Sequence, residues 1–146
     1  MRVNWRQITN PPLGIGTDII YAAIYNGYVI FQEVYDSGVV YRVDNCAFDT
    51  EEQLLDFLDR SIDVTDAGLS RSTRELKGSI RTELCRRLEQ YLAMINRNDT
   101  WAGCTKCYYR GRMYSGLVCD FCIFQPERYG NPSQQEPRHF AWRPKD

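Results

Sequence analysis

Four of the six cysteines lie within a stretch of nineteen residues in the last third of the chain. They form two Cys-x-x-Cys pairs, Cys104 with Cys107 and Cys119 with Cys122, and eleven residues separate the pairs. Each pair can fold as a tight turn that directs two thiolates at one ion, and two such turns complete a tetrahedral shell of four sulfur ligands. The spacing therefore predicts one metal site made of these four cysteines, with Zn²⁺ as the ion.

Other chemistry is open to the same cysteines. Two disulfides would require an oxidising compartment, and the amino terminus, residues 1–6, lacks the apolar stretch of a secretory signal. A catalytic Cys-x-x-Cys is expected at the start of a helix that follows a strand. Iron accepts the same four thiolates, so the sequence does not separate iron from zinc. Because four cysteines fill the shell, no position remains for an activated water, and the predicted zinc is structural.

The residues between the two pairs have the pattern of a β-hairpin. Aromatic and apolar residues stand on both sides of Arg110-Gly111-Arg112, which would form its turn. With the ligand spacing, this segment resembles a zinc ribbon over residues 104–122, and the resemblance covers that segment alone. Zinc ribbons in general are rigid protrusions that bind protein or nucleic acid. The resemblance therefore implies a carboxy-terminal, zinc-ribbon-like hairpin with a binding role.

Cations and aromatic rings alternate along the same hairpin. Such a surface can contact phosphates through Arg and Lys while bases stack on tyrosine rings. Alternatively, the tyrosines cover the metal site and the cations face solvent or offset the charge of the four thiolates. The candidate nucleic-acid-binding residues are Lys106, Tyr109, Arg110, Arg112 and Tyr114.

A net charge of -1 conceals an imbalance between the two halves of the chain. Residues 1–69 hold four arginines and eleven acidic residues, which gives -7. Residues 70–146 hold fourteen cations and eight acidic residues, which gives +6. This asymmetry can mark two separate partner surfaces, or it can simply let the halves attract each other.

The acidic half contains a predicted helix over residues 50–60 with carboxylates along one side. Asp49 and Glu52 have the spacing of a capping box at its start. A row of carboxylates at helical spacing could imitate a phosphate strand and occupy a basic cleft on another protein, although a solvated helix face is the plainer interpretation. The candidate partner-binding residues are Glu52, Asp56, Asp59 and Asp63. The opposite, apolar face consists of Leu54, Leu55, Leu58 and Ile62.

Three strand-like runs precede this helix, over about residues 19–43. The weak alternation over residues 2–8 also allows a short leading strand. Asn26-Gly27 joins the first two runs and supplies the positive φ values of a two-residue hairpin turn. The runs therefore predict an antiparallel β-meander followed by helices, an α+β fold. We expect an α+β domain over residues 1–100, a zinc hairpin over 101–124 and a Pro-rich tail over 125–146.

A second, longer helix is predicted over residues 73–97, with Ser72 and Glu75 as its capping box. Its cations Arg74, Lys77 and Arg81 form a stripe that is better explained by ordinary surface pairing than by a phosphate track. Its apolar positions follow the 3.6-residue period and are Leu76, Ile80, Leu84, Leu88, Tyr91, Leu92 and Ile95.

Residues suited to catalysis are scarce. The one histidine, His139, lies in the Pro-rich tail, where acid–base or triad chemistry would need the tail to fold back. Cys46 and Cys85, in strand-like and helical segments, are most simply packed thiols, and their roles stay open. In the tail, Trp142 and its neighbours could form a docking arm or could pack onto their own domain.

These features point to a non-enzymatic, zinc-containing binding protein. Our first hypothesis is that it engages another protein and inhibits a nucleic-acid-handling partner through the acidic helix. The alternative is direct nucleic-acid binding by the zinc hairpin and the basic helix, and a small enzyme of unknown class is third. Since no apolar run approaches the ~18 residues of a membrane span, we expect a cytoplasmic protein with no membrane partner.

Overall fold

The computed structural model describes residues 2–8, 19–35, 38–44, 46–64, 68–96, 106–109, 112, 122–124 and 140–145. Five strands and two helices lie within these ranges. The strands are β1 (Arg6–Gln7), β2 (Ile19–Tyr25), β3 (Tyr28–Tyr35), β4 (Gly38–Val43) and β5 (Cys46–Phe48). The helices are α1 (Glu51–Val64) and α2 (Arg71–Asn96). Most of the predicted zinc hairpin and most of the tail lie outside the described residues.

All five strands form one antiparallel sheet in chain order, β1-β2-β3-β4-β5. At the β2–β3 turn, Asn26 and Gly27 adopt φ values of 51° and 80°, and Tyr25 pairs with Tyr28 beside them. Two consecutive positive φ values match the right-handed twist of the flanking strands, which is why Asn-Gly is favoured there. The predicted α+β meander followed by two helices is confirmed, and β1 and β5 extend it at both ends.

Helix α1 begins at Glu51, one residue later than predicted. The backbone N–H of Gln53 donates to Thr50 Oγ1 at 3.2 Å, and the Gln53 side chain accepts from the N–H of Asp49 at 3.2 Å. The pair Thr50 and Gln53 therefore caps the helix, and the prediction of Asp49 with Glu52 was wrong. The carboxylate of Glu52 is left exposed at the surface.

Helix α2, in contrast, begins at Arg71, two residues earlier than predicted. The N–H of Thr73 donates to Ser70 Oγ at 3.2 Å, so Ser70 is the capping residue. Glu75 pairs instead with Arg71, one turn before it, at 3.0 Å between Nε and Oε1. The prediction of a Ser72–Glu75 box was wrong because Ser70 offers the same cap two residues earlier.

The two helices cover opposite faces of the sheet. Successive side chains of a strand point to opposite faces, so Ala22 and Ala23 of β2 belong to different clusters. The α1 face buries Val3, Ala23, Ile30, Val43, Leu54, Leu55 and Leu58. The α2 face buries Ile8, Ile20, Ala22, Val29, Phe31, Leu88, Tyr91, Ile123, Phe140 and Trp142.

The described end of the tail is part of the core on the α2 face. Trp142 is fully buried, and its ring meets that of Tyr91 edge-on, with 5.1 Å between the ring centres. Phe140 and Phe124 also pack against Tyr91, at 5.9 and 5.3 Å between ring centres. The hydroxyl of Tyr91 donates to the carbonyl of Ile8 at 2.7 Å. Of the two interpretations of this segment, packing onto its own domain is the one observed.

The first half of α2 is not covered by the sheet. Leu76 and Ile80 are 61% and 54% exposed, although the helical period predicted them to be buried. Contact with the sheet starts where Arg81 lies over the Tyr28 ring and the Cys85 thiol donates to the Gly27 carbonyl at 3.2 Å. Burial was wrongly predicted at Leu76 and Ile80 because α2 extends past the β2–β3 turn.

Candidate functional site

One cysteine from each predicted metal-binding pair lies in the described part of the structure. Cys107 is half-buried and packs against the core cluster that contains Ile123, and Cys122, next to Ile123, is buried. Neither cysteine is in a disulfide. Cys104 and Cys119 lie outside the described residues. A thiol packed on this cluster and a buried thiol next to one of its members, one from each pair, fit the donor chemistry of a zinc site.

Among the residues that the structure describes, no three His, Cys, Asp or Glu side chains come together as a metal-binding group. That range contains half of the predicted ligand set. In the same range, no helix is long and apolar enough to cross a membrane. His139, the one histidine, lies outside it.

The end of the tail runs alongside the first cysteine pair. Cys107 forms an antiparallel β-bridge with Pro144, and the N–H of Tyr108 donates to the carbonyl of Arg143 at 2.7 Å. Because Trp142 is buried in the core, this tail segment is anchored to the domain. The bridge brings Arg143, which the sequence pattern did not select, beside Tyr108.

Two guanidinium groups lie over the ring of Tyr108. The guanidinium carbon of Arg112 is 3.6 Å from the ring centre, and that of Arg143 is 4.3 Å from it. Arg112 is held by its Nε, which donates to the Tyr108 carbonyl at 2.8 Å. The two guanidinium carbons are therefore no more than about 8 Å apart. The ring is thus occupied by the protein's own cations.

These two arginines, together with Lys106 next to Cys107 and Lys145 next to Pro144 in the chain, are called the cationic cluster below. Arg112 and Arg143 form no ion pair with any carboxylate of the described residues, unlike Arg71, Arg86 and Arg87 of α2. The cluster consists of Lys106, Arg112, Arg143 and Lys145.

Three of the five predicted nucleic-acid-binding residues lie in the described part of the structure. Lys106 and Arg112 are exposed members of the cationic cluster. Tyr109 is half-buried, with its ring centre 5.3 Å from that of Tyr108 and the ring planes at 89°. Arg110 and Tyr114 lie outside the described residues.

The residues of the predicted acidic row on α1 differ in exposure and in hydrogen bonding. Glu52 is exposed and Asp56 is half-buried, and neither is ion-paired within the described part of the chain. Asp59 accepts hydrogen bonds from Tyr25 Oη at 2.8 Å, from Asn26 Nδ2 at 3.1 Å and from Arg2 at 2.6 Å. The side chain of Asp63 is not among those described.

The partners of Asp59 change its electrostatics. The hydrogen bond from Tyr25, followed by those from Arg2 and Asn26, lowers the pKa of Asp59 below its ordinary value. Its charge is offset by Arg2, and its oxygens are committed to the β2–β3 turn. Asp59 is therefore a tether between α1 and the sheet, and its carboxylate is not an isolated negative charge on a solvated ridge.

The two remaining cysteines have the environment of packed thiols. Burial, followed by the nearby Asp44, raises the pKa of Cys46. Burial also raises the pKa of Cys85, and Glu89 adds to the effect. A raised pKa reduces the thiolate fraction at neutral pH, and the thiolate is the nucleophile. This environment favours a packing role for both residues.

A buried ion pair was not selected from the sequence. Arg42 of β4 and Glu33 of β3 are paired in the interior, with side chains 2% and 1% exposed, and the hydroxyl of Tyr35 donates to Glu33. Glu33 follows Val29 and Phe31 on one face of β3, so the two-residue period was a signal that its carboxylate points inward.

No protein-family model, curated protein or solved structure matches this chain.

Proposed function

We propose that this chain is a non-enzymatic, zinc-containing binding protein that contacts the phosphates of nucleic acid through the cationic cluster. The observation that carries the proposal is the pair Arg112 and Arg143, which both lie over the ring of Tyr108 without a carboxylate partner in the described residues. Guanidinium groups bind phosphate oxygens through paired N–H donors. An arginine pair without a carboxylate partner in the described residues is thus suited to a polyanion.

The four cysteines Cys104, Cys107, Cys119 and Cys122 would hold one Zn²⁺. Zinc bound by four thiolates is structural, because no coordination position is left for water or substrate. Cys107 packs on the core cluster that contains Ile123, Cys122 is buried next to Ile123, and neither is in a disulfide, which supports this role. In this proposal the cysteines fix the segment from Lys106 to Tyr109, and that segment presents the cluster.

The electrostatics of the cluster favour a bound anion. Arg112 and Arg143, no more than about 8 Å apart, repel each other, and the cation–π contacts with Tyr108 offset this repulsion only in part. A phosphate placed near both guanidiniums removes the repulsion and releases its condensed counterions. Binding should therefore weaken steeply as salt rises.

The structure supports this candidate better than the acidic helix, our first hypothesis from the sequence. Asp59 is paired with Arg2 and bonded to Tyr25, so it offers little free charge to a partner. A second candidate function remains for Glu52 and Asp56, whose carboxylates have no cationic partner in the described residues. In that case the protein would capture the basic cleft of a nucleic-acid-handling protein and inhibit it.

Fluorescence anisotropy with the zinc-loaded full chain and labelled oligonucleotides tests the first candidate. Arg112→Ala with Arg143→Ala should weaken binding about tenfold or more at roughly 0.1 M salt. The same variant should reduce the salt slope by about 1.4, since each phosphate contact to a single strand contributes about 0.7. Arg71→Ala with Arg86→Ala is the matched control, because it removes the same net charge from ion-paired positions on α2.

Two outcomes would overturn the proposal. One is that no DNA or RNA, single-stranded or double-stranded, binds even at about 50 mM salt, where phosphate-driven binding is strong. The other is that both double variants lose the same affinity and slope, which would mean that net charge alone matters. For the second candidate, Glu52→Gln with Asp56→Asn should slow association with the basic partner at low salt and leave oligonucleotide binding intact.

A further inference from the structure

Two neighbouring tyrosines next to the cationic cluster, Tyr108 and Tyr109, have different surroundings. Tyr108 has two guanidiniums over its ring, those of Arg112 and Arg143. The Tyr109 ring stands perpendicular to that of Tyr108, with 5.3 Å between the ring centres. No cation lies over Tyr109 among the described residues.

This arrangement leaves Tyr109 with one face that carries no ring or cation of the described residues. At most one face of Tyr109 is in contact with Tyr108, and within the described residues no other ring and no cation lies over Tyr109. The main chain of Tyr109 is held in a turn, because the Arg112 N–H donates to the Tyr109 carbonyl at 3.2 Å, and its ring rests against that of Tyr108. A fixed aromatic face beside two guanidiniums is suited to a planar group that carries phosphates.

We propose, on the basis of the proposed function, that the ligand is single-stranded nucleic acid and that one of its bases stacks on Tyr109. Arg112 and Arg143 bind phosphates on either side of the stacked nucleotide. Tyr108 is a positioning residue: its ring holds the two guanidiniums no more than about 8 Å apart and touches no base. Recognition is then independent of base identity, because every base has a π-face.

A duplex does not satisfy this geometry. In a duplex the bases are stacked on each other and paired, so a base reaches a protein ring only after it is extruded from the stack, at a cost of a few kcal/mol. In a flexible single strand, a base can unstack and its neighbouring phosphates can adjust to the separation of the two arginines. The site should therefore prefer single strands.

Anisotropy titrations with a fluorescein-labelled thymidine 12-mer, the same strand with a central run of abasic sites, and a 12-base-pair duplex test this inference on the zinc-loaded full chain. We expect the intact strand to bind about tenfold more tightly than the abasic strand or the duplex, in keeping with one stacked base. Tyr109→Leu should bring intact and abasic strands to the same affinity, and Tyr109→Phe should restore the difference.

The role of Tyr108 has a separate readout. Tyr108→Leu should lower the salt slope toward that of the double arginine variant, because the guanidiniums lose their common support. Tyr108→Phe should restore the slope. Circular dichroism and zinc content of each variant identify any that fails to fold, and the abasic comparison in the wild-type chain does not depend on a variant.

The results separate this inference from the proposed function. If the duplex or inorganic polyphosphate binds as tightly as the intact strand, per phosphate, the cluster binds phosphate and the stacking role of Tyr109 is wrong. If Tyr109→Leu keeps the wild-type preference for the intact strand, the stacking role is also wrong. If none of the probes binds, the proposed function itself fails.

Discussion

The carboxylate of Glu33 and the guanidinium of Arg42 form an ion pair inside the protein, with each side chain at most 2% exposed. Both residues lie on the face of the sheet that α2 covers, and Tyr35 donates a further hydrogen bond to Glu33. A buried charge is tolerated only when its partner is present, because removal of one partner leaves the other without water or counter-charge.

We therefore predict that Glu33→Gln or Arg42→Met lowers the free energy of unfolding by about 3–5 kcal/mol. Urea denaturation followed by circular dichroism measures this change. Glu75→Gln is the matched control, since it breaks the exposed pair with Arg71 and should cost about 0.5 kcal/mol or less. Equal effects of the buried and exposed substitutions would contradict a paired, buried role for Glu33.

The second prediction concerns the pKa of Asp59. Carboxyl NMR titration should give a midpoint below the ordinary value of aspartate. Tyr25→Phe should raise that midpoint, since the Tyr25 hydrogen bond is its largest single cause, and Arg2→Ala should also raise it. A midpoint for Asp59 that is unchanged in both variants would show that neither donor acts on it.

The lowered pKa of Asp59 also implies a pH dependence of stability. The folded protein holds the charged form, so the contribution is present above the ordinary pKa of aspartate and is lost as pH falls through the lowered, folded-state pKa. Unfolding curves of wild type and Asp59→Asn should therefore converge below that pKa. Asp56→Asn is the matched control, because it replaces a carboxylate on the same helix that has no ion pair among the described residues.

The exposed positions of α2 give a third prediction. Leu76→Ala and Ile80→Ala should each change the free energy of unfolding by about 0.5 kcal/mol or less, because both side chains are mostly in water. Leu88→Ala, on the same helix and fully buried, should cost about 2–5 kcal/mol. Denaturant titrations of the three variants make the comparison, and a large loss at Leu76 would mean that this part of α2 is covered in solution.

The fourth prediction is that the purified chain carries about one zinc per molecule, since two Cys-x-x-Cys pairs complete one closed shell. Elemental analysis tests the stoichiometry. Cys107→Ser should reduce the zinc content, whereas Cys46→Ser and Cys85→Ser should not. Peptide mapping that places Cys104 or Cys119 in a disulfide would exclude the site.

Chelation supplies an independent test of the same site. Removal of the metal should increase hydrogen exchange at residues 106–109 and at residues 140–145, because the Cys107–Pro144 bridge joins them. Exchange in β2 and β3 should change little, since these strands pair with each other over seven positions. Uniform loss of protection across the chain would contradict a metal site local to the carboxyl end.

Local patterns were enough to determine most of the sheet and helices. Asn26 and Gly27 favour the observed turn through their own backbone freedom, and the alternation along β3 assigns Val29 and Ile30 to opposite faces. The exact helix starts were missed because capping patterns are degenerate. Asp49 with Glu52 and Thr50 with Gln53 satisfy the same local rule, and only backbone geometry selects between them.

Tertiary structure decided the features that depend on residues far apart in the chain. The helical period of α2 does not reveal where the sheet ends, so Leu76 and Leu88 have the same local signal but different burial. Nor does any local pattern bring Arg143 to Tyr108, since the burial of Trp142 in the core is what carries the tail there. Backbone preferences act over a few neighbouring residues, whereas burial and ion pairing depend on which surfaces meet once the chain has folded.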